Sequence, residues 1–154
     1  MRNAIKEIEG IKVYFAPPPL ITVFGVKYLH LRMEDGSDLY VTEHGLPFTK
    51  CLMPENHWAD ESWMENHSVR LPGTSALYRV TTKEVEGQSK EIVVKWNRMG
   101  QEIPAEEEAE EFFDAEFNSP FEEISLVMEL RDSRYESPGM IVTQRPLAIY
   151  VPSE

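Results

Sequence analysis

The chain has 154 residues, with 15 Lys and Arg against 27 Asp and Glu, for a net charge of −12. That length suffices for an ordinary domain with its own core, and 42% hydrophobic with 10% aromatic residues excludes an acidic disordered tail. The charge argues against a nucleic-acid platform or an anionic-membrane binder, since both need basic surface.

Ile11 to Phe15 reads as a short strand, stopped by Pro17-Pro18-Pro19. Leu20 to Arg32 is rich in β-branched and aromatic residues, Asp35-Gly36 supplies a turn, and Asp38 to Thr42 is the returning strand. Glu43 to Arg70 reads as a long loop with poor periodicity, carrying Pro47, Pro54, Trp58, Trp63 and three histidines. Ser75 to Thr82 alternates, with Ala76, Tyr78 and Val80 on one face. Gly87 marks a turn. Glu91 to Asn97 alternates again, with Ile92, Val94 and Trp96 on one side and Val93 and Lys95 on the other. Pro104 opens an acidic helix that reaches about Phe113, and a second helix runs from about Ser119 to Arg131. Ser137-Pro138-Gly139 is the turn that follows. Met140 to Thr143 and Leu147 to Val151 are short strands separated by Pro146.

The second helix has the clearest local start signal. Ser119 and Glu122 have the spacing of a capping box, and Pro120 sits at the first helical position, where a missing N–H costs nothing. The cap occupies Glu122 and leaves Glu123 on a face with Leu126, Val127 and Leu130. A carboxylate there needs a partner, because an unpaired buried charge is costly. Lys95 poses the same question from an apolar strand, and an ion pair between the two answers both. Upstream, Leu71-Pro72-Gly73-Thr74-Ser75 is a turn whose backbone N–H groups and hydroxyls suit a phosphate.

Gly73, Val80 and Lys95 stand at the spacing of a protein-kinase-like small lobe, in which a Gly-rich loop leads to a valine and then to a strand lysine. Val93-Val94-Lys95 resembles the lysine-bearing strand, and Glu123 with its apolar neighbours resembles the helix supplying the lysine's glutamate. Ser75 and Tyr78 stand where the protein-kinase loop has its second and third glycines. The loop therefore looks more like the aminoglycoside-phosphotransferase and choline-kinase branch. The resemblance covers residues 71–151. It implies that Val80 roofs an adenine, that Gly73, Thr74 and Ser75 close over the phosphates of ATP with Mg, and that Lys95 contacts those phosphates, oriented by Glu123. No catalytic-loop Asp and no Asp-Phe-Gly-like metal motif accompanies them, so the chain has no catalytic residue or metal ligand at a motif-supported position. The expected architecture is α+β: a twisted antiparallel sheet with one or two helices on one face. Residues 1–70 are an N-terminal β-extension and long loop, and residues 71–154 a kinase-like small lobe lacking its catalytic lobe. Such a lobe is expected to bind nucleotide weakly, to be inactive alone, and to meet a missing C-terminal lobe or self-associate through exposed apolar surface.

Two other function classes fit the same sequence. One is a non-catalytic protein-interaction module, with the acidic helix and the Trp/Met loop (Met53, Trp58, Trp63, Met64) as contact surface. The other is a small-ligand or metal domain built on His44, Cys51, His57 and His67, whose spacing matches no compact zinc pattern. No uncharged apolar run approaches the ~20 residues that span a bilayer. The first residues contain no apolar signal segment. A single cysteine excludes an internal disulfide framework and fits a reducing cytoplasm.

Overall fold

A computed structural model describes residues 4–8, 11–15, 20–73, 76–97, 119–132 and 143–153. The fold is α+β. Its strands are β1 (Ala4–Ile8), β2 (Ile11–Phe15), β3 (Leu20–Val23), β4 (Val26–Arg32), β5 (Asp38–Val41), β6 (Ser68–Arg70), β7 (Ala76–Thr81), β8 (Glu91–Trp96) and β9 (Ala148–Val151). Its helices are α1 (Glu61–His67) and α2 (Pro120–Arg131). Among the described residues all pairing is antiparallel, in a β1-β2 hairpin, a four-stranded sheet ordered β3-β4-β5-β9 and a three-stranded sheet ordered β6-β7-β8. The expected acidic helix near residues 104–113 and the turn at 137–139 lie outside the described residues.

Contacts divide the chain into two compact units, residues 1–49 with 124–154 and residues 50–123. Each takes residues from both sides of position 70.

In the first unit the β-rich stretch from Leu20 to Arg32 is broken into β3 and β4 by a tight turn at Phe24-Gly25, both with positive φ (47° and 78°). Alternation then sorts the side chains. Leu31, Leu39 and Val41 are buried on one face. Tyr28 is buried on the other, edge-on to Tyr40 at 6.4 Å, and burial pushes its phenol up to about 12. On that same face Asp38 accepts from Arg32 Nε and Nη2 (2.9 and 2.8 Å) and from His30 Nε2 (2.7 Å). These bonds, Arg32's first, hold its carboxyl below the usual range. The strand β9 docks on β5, and Thr42 extends the join: its N–H and Oγ1 both donate to Leu147 O (2.9 and 3.1 Å), and Oγ1 also donates to Pro146 O (2.6 Å).

In the second unit the segment expected as loop holds a 3-10 turn (Pro54–Asn56), α1 and β6. Asp60 caps α1 by accepting from the Trp63 N–H at 2.9 Å. Its other oxygen takes Lys83 Nζ at 2.7 Å, and these two bonds, the lysine's first, lower its pKa. Trp63 Nε1 donates to Thr81 O at 2.8 Å, which pins α1 to β7. Cys51, Leu52, Val80 and Ile92 form the buried apolar centre, with His57 beside them.

Candidate functional site

The expected capping box is present. The Ser119 N–H donates to Glu122 Oε2 (3.2 Å), and the Glu122 N–H donates to Ser119 Oγ (3.3 Å). This fixes the first turn of α2 and turns Glu123 toward β8. Lys95 Nζ donates to both Glu123 oxygens, at 2.6 Å to Oε1 and 2.7 Å to Oε2. The two side chains are 38% and 36% exposed, so the pair keeps contact with water. Such a pair orients an ammonium group without a large desolvation cost, and it leaves one lysine proton for an incoming anion.

Beside Lys95 the face of β7 and β8 is mixed, with Leu77 and Val93 as its apolar residues among Arg79, Thr81 and Glu91. The register sets Leu77 opposite Lys95 and Arg79 opposite Val93, which is 56% exposed. Gly73 lies in the β6–β7 turn with φ 147°, a backbone conformation that favours glycine. The Leu71 N–H closes that turn onto Leu77 O at 2.9 Å. Thr74 and Ser75 lie outside the described residues.

Val80, expected to roof an adenine, lies on the other face of the sheet from Lys95. It pairs with Ile92, is 1% exposed and points to the opposite face of the sheet. The cause is a one-residue offset. The turn pairs Val85 with Gln88, while Thr82 N–H bonds Lys90 O, so residues 83 and 84 stand against residue 89 alone. The Lys83 N–H leaves the ladder and donates to Asn56 O at 2.8 Å. A one-residue shift exchanges the faces of a strand, and this bulge turns Val80 into the core.

No protein-family model, curated protein or solved structure matches the chain.

Among the described residues no group of three or more His, Cys, Asp and Glu is arranged to hold a metal ion. His57 is buried and donates from Nε2 to Leu52 O (3.1 Å). His67 stacks on Trp63 at 3.6 Å, and Cys51 Sγ approaches Gln88 O. Each thus has a local packing role.

Sequence reasoning missed a second feature of this unit. On the face away from Lys95, an open cleft of about 500 Å³ lies between α1 and the β6–β8 sheet. Trp96 is its centre: Trp58 meets it at 6.3 Å and Tyr78 at 5.5 Å, each at 79°. Alternation grouped Tyr78 with Val80 on β7 and Trp96 with Val94 on β8, and the register makes these one face. What was hidden was α1 and the turn before it, which bring Met64 and Trp58 to Tyr78 and Trp96.

Proposed function

We propose that the second unit is the nucleotide-binding small lobe of a protein-kinase-like phosphotransferase. The observation that carries the reading is the two-oxygen grip of Glu123 on Lys95, made between a sheet strand and a helix start 28 residues apart. Strand, glycine turn, strand, lysine strand and glutamate helix follow in the order the resemblance requires. In this reading Lys95 meets the α- and β-phosphates of ATP. The turn at Gly73, with Thr74 and Ser75, offers N–H and hydroxyl donors. The adenine lies on the apolar surface of Leu77 and Val93 in place of Val80. Magnesium would arrive with the nucleotide. Among the described residues no group of three or more His, Cys, Asp and Glu is arranged to hold it. Transfer of the γ-phosphoryl needs a base and metal-binding carboxylates from a C-terminal lobe, and residues 1–154 alone are inactive in this reading. The single buried cysteine suits a reducing cytoplasm, and no described helix is long and apolar enough to cross a membrane.

The test is an ATP titration of the 154-residue chain, followed by a fluorescent ATP analogue, with Lys95→Met and Glu123→Gln beside the parent. Weak saturable binding is expected, reduced at least about tenfold in Lys95→Met and less in Glu123→Gln. Both variants should melt within about 2 °C of the parent, since a half-exposed pair contributes only about 0.5 kcal/mol. Absence of saturable binding, or equal binding by Lys95→Met, overturns the reading.

A non-catalytic interaction module is the second reading. It is favoured by Leu20, Phe24, Leu126 and Leu130 of the first unit, each more than half exposed, with Ser125 Oγ donating to Phe24 O at 2.8 Å. It predicts no response to ATP in the same titration.

A further inference from the structure

The cleft between α1 and the sheet has a composition that neither reading uses. Three aromatic rings line it, from Trp58, Tyr78 and Trp96, with the Met64 thioether beside them. The two flanking rings stand nearly perpendicular to Trp96, so the cleft is walled by rings in different planes instead of filled by a stack. Trp96 is itself 42% exposed.

The rim is acidic. Glu61 and Glu65 both line the cleft, one helical turn apart on α1. Like charges at that spacing destabilise a helix, and α1 has only seven residues to spread the cost. Neither glutamate has a salt bridge within 4 Å among the described residues. None of the lining residues is basic. Arg70 stands opposite Tyr78 on this face of the sheet but is not part of the lining.

Ring faces carry negative charge density and attract a cation that sheds its water easily. Alkylated ammonium groups do so, since their charge is spread over methyl groups that also pack against apolar surface. Carboxylates at the rim then neutralise the charge without a directed hydrogen bond. A simple metal ion or an anion would use none of the rings. The volume, about 500 Å³, is that of a small-molecule site.

We propose that this cleft binds a small alkylated ammonium ion, enclosed by Trp58, Tyr78 and Trp96 and neutralised by Glu61 and Glu65. The proposal does not rest on the nucleotide reading, because Lys95 faces the other side of the sheet.

Tetramethylammonium is titrated against the full chain, followed by tryptophan fluorescence and calorimetry, with tert-butanol as an uncharged probe of similar shape. Saturable quenching by tetramethylammonium is expected, with tert-butanol at least about fivefold weaker. Trp96→Leu should abolish the response. Because that change removes a packing ring and can disturb the fold, the double variant Glu61→Gln/Glu65→Gln, at exposed positions, is the second arm. It should weaken binding about five- to tenfold and flatten its salt dependence. Lys95→Met should leave tetramethylammonium binding unchanged, which separates this result from the ATP titration. Equal binding of tert-butanol, or unchanged binding by the double glutamine variant, overturns the proposal. Tighter binding of a trimethyllysine peptide than of tetramethylammonium overturns the assignment to a free small molecule.

Discussion

Replacing Gly45 by alanine puts a methyl group where the first unit has no room. Gly45 is buried with an ordinary φ of −84°, so handedness does not demand glycine there. Close approach does. A Cβ would collide with the Leu147 carbonyl oxygen and stand 2.9 Å from its carbon and 2.8 Å from Val41 Cγ1. Two of those atoms are backbone, and relief means moving the β9 approach away from Thr42. Overpacking of this kind costs about 1–3 kcal/mol, and loosening the Thr42 N–H bond to Leu147 O adds about 1. A total near 3 kcal/mol lowers the melting temperature by about 6–12 °C for a chain of this size. Gly25 is the control. Its φ is 78° with nothing within 4 Å of a Cβ, so alanine there costs only the left-handed strain, and asparagine, which tolerates that region, recovers most of it. At Gly45 asparagine brings no relief. Circular-dichroism melts of the four variants decide the matter. A Gly45→Ala protein melting within about 2 °C of the parent, or Gly45→Asn rescuing Gly45→Ala, refutes the close-approach argument.

The buried His57 predicts a pH dependence. Burial pushes its pKa below the ordinary value, and among the described residues Nδ1 has no hydrogen-bond partner to receive a proton's bond. Below pH ~6.5 the unfolded chain therefore binds a proton that the folded chain refuses, and stability falls with falling pH until the lowered folded pKa is reached. Urea unfolding at pH 7.5 and 5.5 should show a loss in the parent that shrinks in His57→Gln; an equal loss in both contradicts the assignment. Ser119→Ala removes one half of the capping box and should cost about 1 kcal/mol, with Ser119→Gly milder, by the same unfolding measurement. Equal stability of parent and alanine variant would mean that the cap carries no weight.

What could be read from the sequence was what neighbours decide. Ser119 and Glu122 are three residues apart, and the box they form depends on nothing distant. The alternation of Ala76–Thr81 and Glu91–Trp96 likewise reports faces directly. The Phe24-Gly25 turn escaped notice because Phe24 adopts positive φ where such turns ordinarily carry Asn, Asp or Gly. The helix α1 escaped because seven residues hold too few turns for periodicity, although Asp60 was a visible cap. The pairing of Lys95 with Glu123 followed from asking what two awkward charges need. The face of Val80 did not follow from spacing, because the Asn56 carbonyl, more than twenty positions away, draws the Lys83 N–H out of the ladder.

The join of β5 to β9 has a consequence for synthesis. The hydroxyl of Thr42 bonds Pro146 and Leu147, 104 and 105 positions away, so a strand made early waits for one made late. Residues 50–123 are contiguous, and their described strands β6, β7 and β8 have one another as partners by the time α2 begins to emerge. The interrupted unit therefore finishes second on a translating ribosome. Until residues 148–151 arrive, one edge of β5 is open to any other strand. Arrest of the nascent chain before residue 146 should leave the inserted unit protease-resistant while the flanking strands remain cleavable, and would make that exposed edge the first place for association between unfinished chains.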